Sequence, residues 1–371
     1  MMAYAERTGW SRRARSTRFT LLTVVMMLFA AGASAQWKIE TEDGSSMVKF
    51  GFLLQGRAET LDAASGETTA RDLYIRRFRL LAGGKITDKL GFFVETDSPN
   101  MGKGLPDGSK NRPDIYFQDV VLTYKFTDSI MLDGGLILIP TCYNCNESAA
   151  ALLPVDYGAY SFISSGPTTS NVGRDYGVQA RGYLANQHLE VRLGIFQGAR
   201  GSDANNGFRT TGRVMWHVWE PQTGLFYLGT SLGTKRLLAF GASFDVQEEY
   251  ETYALDAFFD HPVGKHDAIT LQADWVTWDG SSFLTAIPEQ DTWLFEGSYY
   301  LGAVKLAPFV QYLTRDFADD SLGTDETRWQ AGLAWYPRGS KLSIKLAAGR
   351  IETDVSPDRF QGILQLQVFQ F

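Results

Sequence analysis

From Met47 to the last residue, apolar and polar positions alternate in segments of about ten residues. Val48, Phe50, Phe52 and Leu54 share one parity, and Lys49, Gln55 and Arg57 share the other. The same alternation sets Phe92 and Val94 against Glu95 and Asp97, and Val120, Leu122 and Tyr124 against Asp119, Thr123 and Lys125. Further on, Leu189, Val191, Leu193 and Ile195 oppose His188, Glu190 and Arg192; Ile269, Leu271 and Trp275 oppose Thr270, Gln272 and Asp274; Leu342, Ile344 and Leu346 oppose Lys341, Ser343 and Lys345. A period of two puts successive side chains on opposite faces of a strand. Here the second face is too charged to be a protein core. Such a face lines water while its partner meets hydrocarbon, and a closed barrel satisfies every backbone group that lipid cannot.

Strand starts are expected near Met47, Asp72, Lys89, Asp114, Ser129, Arg174, Gln187, Asn206, Arg236, Tyr250, Asp267, Asp291, Val304, Glu326, Ser340 and Phe360. They describe an all-β, transmembrane antiparallel barrel of about sixteen strands, with short periplasmic turns alternating with long extracellular loops. Pro221 to Lys235 breaks the rule by being long on the short-turn side, and Leu225 to Leu228 within it reads as an extra strand. In the last strand Leu364, Leu366 and Val368 have one parity, Phe369 and the terminal Phe371 the other, which suggests a bulge. Tyr124, Trp216, Trp219, Trp275, Trp278, Trp335 and Tyr336 sit near strand ends, where interfacial girdles require aromatics.

Residues 1–35 place Arg12, Arg13, Arg15 and Arg18 before the apolar run Phe19 to Ala31, then Ala33-Ser34-Ala35 ahead of Gln36. This is the layout of a cleaved secretory signal, the run being well short of the roughly 20 residues a spanning helix needs. The barrel domain is then 36–371. Removing the signal takes away five arginines and one glutamate, so the chain's net charge of −7 becomes −11. An acidic chain disfavours nucleic acid as a partner, and nothing in the sequence implies a cofactor. The only two cysteines, Cys142 and Cys145, read as a local loop disulfide in an oxidising compartment, because a redox pair lacks its βαβ setting and a zinc site two more ligands.

The run Tyr74-Ile75-Arg76-Arg77-Phe78-Arg79-Leu80, followed by Gly84-Lys85 and Phe92-Phe93-Val94-Glu95-Thr96-Asp97, resembles the phosphate-selective porin O and P family. Gly134-Gly135-Leu136-Ile137-Leu138-Ile139-Pro140 and Gly173-Arg174-Asp175-Tyr176-Gly177-Val178 are similar to that family's fifth and sixth strands, around the loop that folds into the pore. The resemblance implies an outer-membrane homotrimer, in contact with lipid and lipopolysaccharide, that passes inorganic phosphate or other small anions along a ladder of arginines. Arg76-Arg77 match the family's paired arginines, Arg57 a basic position on the first strand and Asp97 an acidic one on the third. Parity turns Arg77 and Arg79 inward and leaves Arg76 near the rim.

By the same parity Lys125, Arg181, Lys341 and Lys345 also point inward, giving the lumen a modest basic excess over its acids. Basic rings attract anions where low-dielectric walls focus the field. The competing expectation is a general-diffusion porin whose facing acids and bases select nothing. Residues 140–173 form a candidate constriction loop, since unstructured segments of that length in a compact domain are usually functional. Its Ser161, Ser164, Ser165, Thr168, Thr169 and Ser170 are either hydroxyl donors to an anion or part of a solvated loop. A remoter alternative is an outer-membrane hydrolase. Gly229-Thr230-Ser231-Leu232-Gly233 fits the G-x-S-x-G pattern, but no long helix follows Ser231, and His188 and His217 have no triad partners beside them.

Overall fold

The computed structural model describes residues 37–371; the expected signal, residues 1–35, lies outside the described residues. Sixteen strands build the wall: β1 (Met47–Asp62), β2 (Thr69–Lys85), β3 (Leu90–Asp97), β4 (Tyr116–Lys125), β5 (Ile130–Leu138), β6 (Arg174–Leu184), β7 (Leu189–Phe196) and β8 (Arg209–His217). The second half comprises β9 (Leu237–Gln247), β10 (Tyr250–Val263), β11 (Asp267–Asp279), β12 (Gln290–Tyr300), β13 (Leu306–Phe317), β14 (Glu326–Trp335), β15 (Leu342–Thr353) and β16 (Ser356–Gln370). Every start lies within four residues of its expected position. Each strand pairs antiparallel with the next, and β16 returns to β1 through Gln361↔Leu61 to Gln370↔Phe52. The sheet is therefore a closed barrel without a free edge.

Large apolar side chains cover the outside: Leu193, Ile195, Leu255, Leu271, Val310 and Leu346 are all more than half exposed. A soluble chain would not leave so continuous an apolar surface in water. Trp216, Trp335 and Tyr124 lie outward as expected of girdles. Trp278 and Tyr336 do not. Both are buried inside the wall, Trp278 Nε1 donating to Thr292 Oγ1 at 3.1 Å.

Three further details correct the sequence reading. The register of β16 on β1 runs unbroken from Gln361 to Gln370, so the last strand has no bulge against that neighbour. Phe369 and Phe371 simply face inward and pack with Leu53, Leu81 and Phe93. A bulge lies instead in β2, where Gln55 pairs with Arg77 and the next residue, Gly56, with Ile75. Arg76 is the extra residue, and it turns toward the lumen instead of remaining at the rim. Leu225–Leu228 is not a wall strand; it touches the long loop through one parallel bridge, Tyr227 with Glu147.

The lumen is filled from both ends. The 140–173 loop folds inward, with Cys142, Tyr143, Asn144 and Asn146 at most 1% exposed and a disulfide joining Cys142 to Cys145. The wall holds this loop by its backbone: Gln55 Nε2 donates to Ala149 O at 3.2 Å, Gln367 Nε2 to Ala150 O at 2.8 Å, and Arg213 Nη1 to Thr141 O at 3.3 Å. Lys345, 3% exposed, donates to the carbonyls of Leu152, Leu153 and Pro154 at 2.6, 3.3 and 2.7 Å. Losing that ammonium would strand buried acceptors, at about 1–3 kcal/mol for each unsatisfied group. The loop hydroxyls are largely spent on its own folding, Thr168 Oγ1 on Ser164 O and Ser161 Oγ on Asn144 Oδ1.

From the short-turn end, residues 218–236 rise to meet the loop. Tyr227 N donates to Asn146 O at 2.9 Å, Ser148 N to Tyr227 O at 3.0 Å, and Tyr143 stacks between Tyr227 and Phe258. The approach is close enough that a Cβ on Gly229 would lie 2.6 Å from Ala151 O, so only glycine fits there.

Glu147 sits at this junction, 1% exposed, with Oε1 unpaired. Burial raises its carboxyl well above the ordinary carboxylate range; Glu296 on β12 and Asp274 on β11 push the same way, while Gln272 on β11 and Lys345 on β15 oppose them. A group whose value is raised by docking contributes stability that is fully present below its free pKa, about 4.3 for Glu, and lost as pH rises through the docked value. Loop docking should therefore weaken as pH rises, and single-channel current at pH 9 should be larger and noisier than at pH 5. Glu147→Gln should flatten this dependence; a wild-type current that falls with pH would contradict it.

Candidate functional site, an arginine cluster beside the docked loop

Around most of the lumen each buried arginine meets its own acid. Arg79 is held by Glu95 and Asp97 at 3.1 and 2.9 Å, and Arg174 Nε reaches Asp119 Oδ1 at 3.2 Å. Arg181 pairs with Asp133 at 3.0 Å, Arg192 with Glu190 at 2.6 Å, Arg209 with Asp245, and Arg213 with Asp256 at 2.7 Å. All these side chains are at most 7% exposed. Removing one member of such a pair leaves an uncompensated buried charge, at a cost on the order of 3–5 kcal/mol.

One place departs from this balance. Arg57 on β1 and the consecutive Arg76 and Arg77 on β2 converge on Asp156 of the loop. Arg57 Nη1 lies 2.6 Å from Asp156 Oδ2; Arg76 Nη2 and Arg77 Nη2 lie 3.0 and 2.8 Å from Oδ1. The β2 bulge makes this possible, because a regular strand would send Arg76 and Arg77 to opposite faces. The nearest other carboxylate, Glu59, is 3.8 Å from Arg57 and shared with Lys103, Tyr74 and Gln361. Burial on its own would raise the Asp156 carboxyl, yet the guanidiniums of Arg57, Arg76 and Arg77 outweigh it and hold the group far below the ordinary range.

Arg76, Arg77 and Asp156 border a cavity of about 340 Å³, to which Gln311, Arg328 and Gln361 also contribute; Arg57 lies behind them. A second cavity of about 110 Å³ lies among Arg79, Glu95, Arg174, Phe93 and Phe371. Tyr157 relates to both. Its ring is 5.4 Å from the Arg77 guanidinium on one side and packs on the Leu53, Leu81, Ala149 and Ala150 cluster on the other, while its hydroxyl donates to Glu147 O at 2.8 Å.

Of the residues expected to line the pore, Arg57 and Arg77 share the Asp156 site, and Arg79 and Asp97 form a pair beside it. Arg181 and Lys345 are buried elsewhere on the wall. Lys125 and Lys341 are exposed at strand ends, on the short-turn side, so parity alone misjudged their depth. Asp156, Tyr157 and Glu147 were not singled out. A signal did exist: between Pro140 and Gly173 the only charged residues are Glu147 and Asp156, too few for a solvated loop. Ser231 Oγ donates to Asp260 Oδ1 at 2.8 Å in an irregular segment, not on a strand-to-helix elbow over a histidine.

The model for phosphate-selective porins O and P matches residues 48–267. A search of curated protein sequences found no match. Among solved structures, the outer membrane channel DcaP of Acinetobacter baumannii is 12% identical, covers 89% of this chain and 99% of its own, and superposes with a TM-score of 0.58. An anion-selective porin from Comamonas acidovorans is 10% identical, covers 87% and 99%, and gives 0.57. OmpT, an outer membrane protein of Vibrio cholerae in trimer form, is 11% identical, covers 88% and 99%, and gives 0.54. At such identities the likeness speaks for the fold, a closed sixteen-stranded porin barrel, while the family match covers more than half of the chain. The apolar outer wall, the charged and loop-filled lumen and the matched region agree: this chain belongs to the phosphate-selective porin O and P family and is a channel of the Gram-negative outer membrane.

Proposed function

We propose that the protein passes small anions, inorganic phosphate among them, by passive diffusion along the side of the lumen walled by β1, β2 and β16. The observation that carries this reading is the convergence of Arg57, Arg76 and Arg77 on a single carboxylate beside an open cavity. Positive charge in excess between low-dielectric walls attracts anions and repels cations. Arginine suits the task because its fork pairs two oxygens of a phosphate and keeps its charge. From that cavity the route continues past Tyr157 to the smaller one beside Arg79 and Arg174, with the 140–173 loop as the constriction. Arg57, Arg77, Arg79 and Asp97 form the lining in this reading, Arg181 and Lys345 hold an acid and the loop backbone away from the path, and Lys125 and Lys341 gather anions at the rim. Residues 1–35 serve as the export signal, removed before Gln36.

A general-diffusion porin is the second reading, favoured by the acids that neutralise each arginine elsewhere on the wall, Arg79 and Arg209 having two apiece. Catalysis has no part in either. Reversal potentials of the refolded protein in a planar bilayer under a salt gradient separate the two. Anion passage predicts a strong preference for chloride over potassium, reduced by added phosphate and weakened in Arg77→Ala; a weak or cation-leaning preference indifferent to phosphate leaves the general porin.

The assembly we infer is a homotrimer, as OmpT is in its trimer form. The support on this chain is a concave apolar groove of about 850 Å³ on the outer wall, where Ala331, Leu333, Leu346, Ala348 and Leu364 face outward from β14, β15 and β16. The rest of the apolar band meets lipid, and the long loops meet lipopolysaccharide. Cross-linking in detergent should give a ladder ending at three subunits, and a single band at one subunit would remove the trimer.

A further inference from the structure

We propose that Asp156 is a tethered counter-anion that occupies the arginine site until a stronger anion displaces it, and so sets which anions pass. The inference rests on the anion-path reading above and adds a device to it. Asp156 presents a carboxylate to the three guanidiniums in the way an oxyanion would. Its Oδ1 accepts Arg76 Nη2 at 3.0 Å and Arg77 Nη2 at 2.8 Å, while Oδ2 takes Arg57 Nη1 at 2.6 Å and Arg76 Nε at 3.3 Å.

Backbone and side chain are held differently. Val155 O accepts Arg57 Nη2 at 3.2 Å and Gln365 Nε2 at 3.4 Å, and Asp156 O accepts Gln311 Nε2 at 3.4 Å, so the loop is fixed to the wall on both sides. The carboxylate is 27% exposed and Arg76 21% exposed, both toward the cavity. An anion arriving there meets Arg76 without moving the loop, and gains Arg77, whose side chain is 4% exposed, as the carboxylate rotates toward Arg57 alone. Arg57 keeps other partners through this change, since its Nε donates to Gln365 Oε1 at 3.1 Å.

Competition then follows from charge and oxygen count. Chloride brings one charge and no fork-matching oxygens, and displaces a doubly bonded carboxylate poorly. Phosphate at neutral pH brings up to two charges and several acceptor oxygens, and displaces it well. Asp156 therefore raises the threshold for weak anions more than for phosphate.

The test compares wild-type protein with Asp156→Asn and Asp156→Ala in planar bilayers, using chloride as the current carrier and inorganic phosphate as the blocker. Both variants should carry several-fold more chloride current and be blocked by phosphate at a roughly tenfold lower concentration, as expected when one charge-assisted competitor is removed. Asp156→Glu, which keeps the carboxylate, should stay near wild type. Heat-modifiable gel mobility checks that each barrel has folded, and the two neutral variants differ enough in size that a packing defect would not move both alike. If the wild type prefers anions but neither folded neutral variant shifts the phosphate concentration downward, the tethered counter-anion is overturned and the anion path stands. If the wild type has no anion preference, both fall together.

Discussion

Everything in this molecule follows from the need to pair every wall amide and carbonyl inside a hydrocarbon layer. That need closes β16 onto β1 without a register break and leaves one strand face for lipid and one for the lumen. The barrel circumference exceeds what the inward side chains can fill. The space is taken by the 140–173 loop from one end and residues 218–236 from the other, which meet at Tyr227, Asn146 and Ser148.

Filling the lumen buries charges that a wide aqueous pore would leave hydrated. Most of the wall resolves this by giving each arginine at least one acid, while Asp260, Asp274 and Glu296 take hydroxyl and amide donors instead, so that acids outnumber bases there. The loop resolves it by presenting carbonyls to Lys345 and Arg213. Against that acid-rich wall the cluster of Arg57, Arg76 and Arg77 stands out, because three cations there share one loop carboxylate and a cavity lies beside it. Selectivity in this account is a property of that local imbalance. The chain as a whole is acidic, with a net charge of −7.

The wall was legible in the sequence because it obeys a single short period. Charged residues on one parity and apolar ones on the other located all sixteen strands. What the period could not carry was any place where the chain departs from it. The bulge at Arg76 adds one residue without a sequence mark, and with it Arg76, expected near the rim, turns inward beside Arg77. Parity also says nothing of depth: Lys125 and Lys341 share the inward parity of Arg79 yet are exposed at strand ends. The loop has no period at all. Asp156 and Glu147 owe their importance to neighbours more than 75 positions away, and only their isolation in an almost uncharged segment hinted at burial.

The most direct test of the central claim is to locate a bound anion. Crystals of the refolded protein soaked in bromide should show an anomalous peak within contact distance of the Arg76 and Arg77 guanidiniums, in the cavity that Asp156 borders. Bromide found only at the exposed rim lysines, with that cavity empty of anomalous signal, would contradict the account.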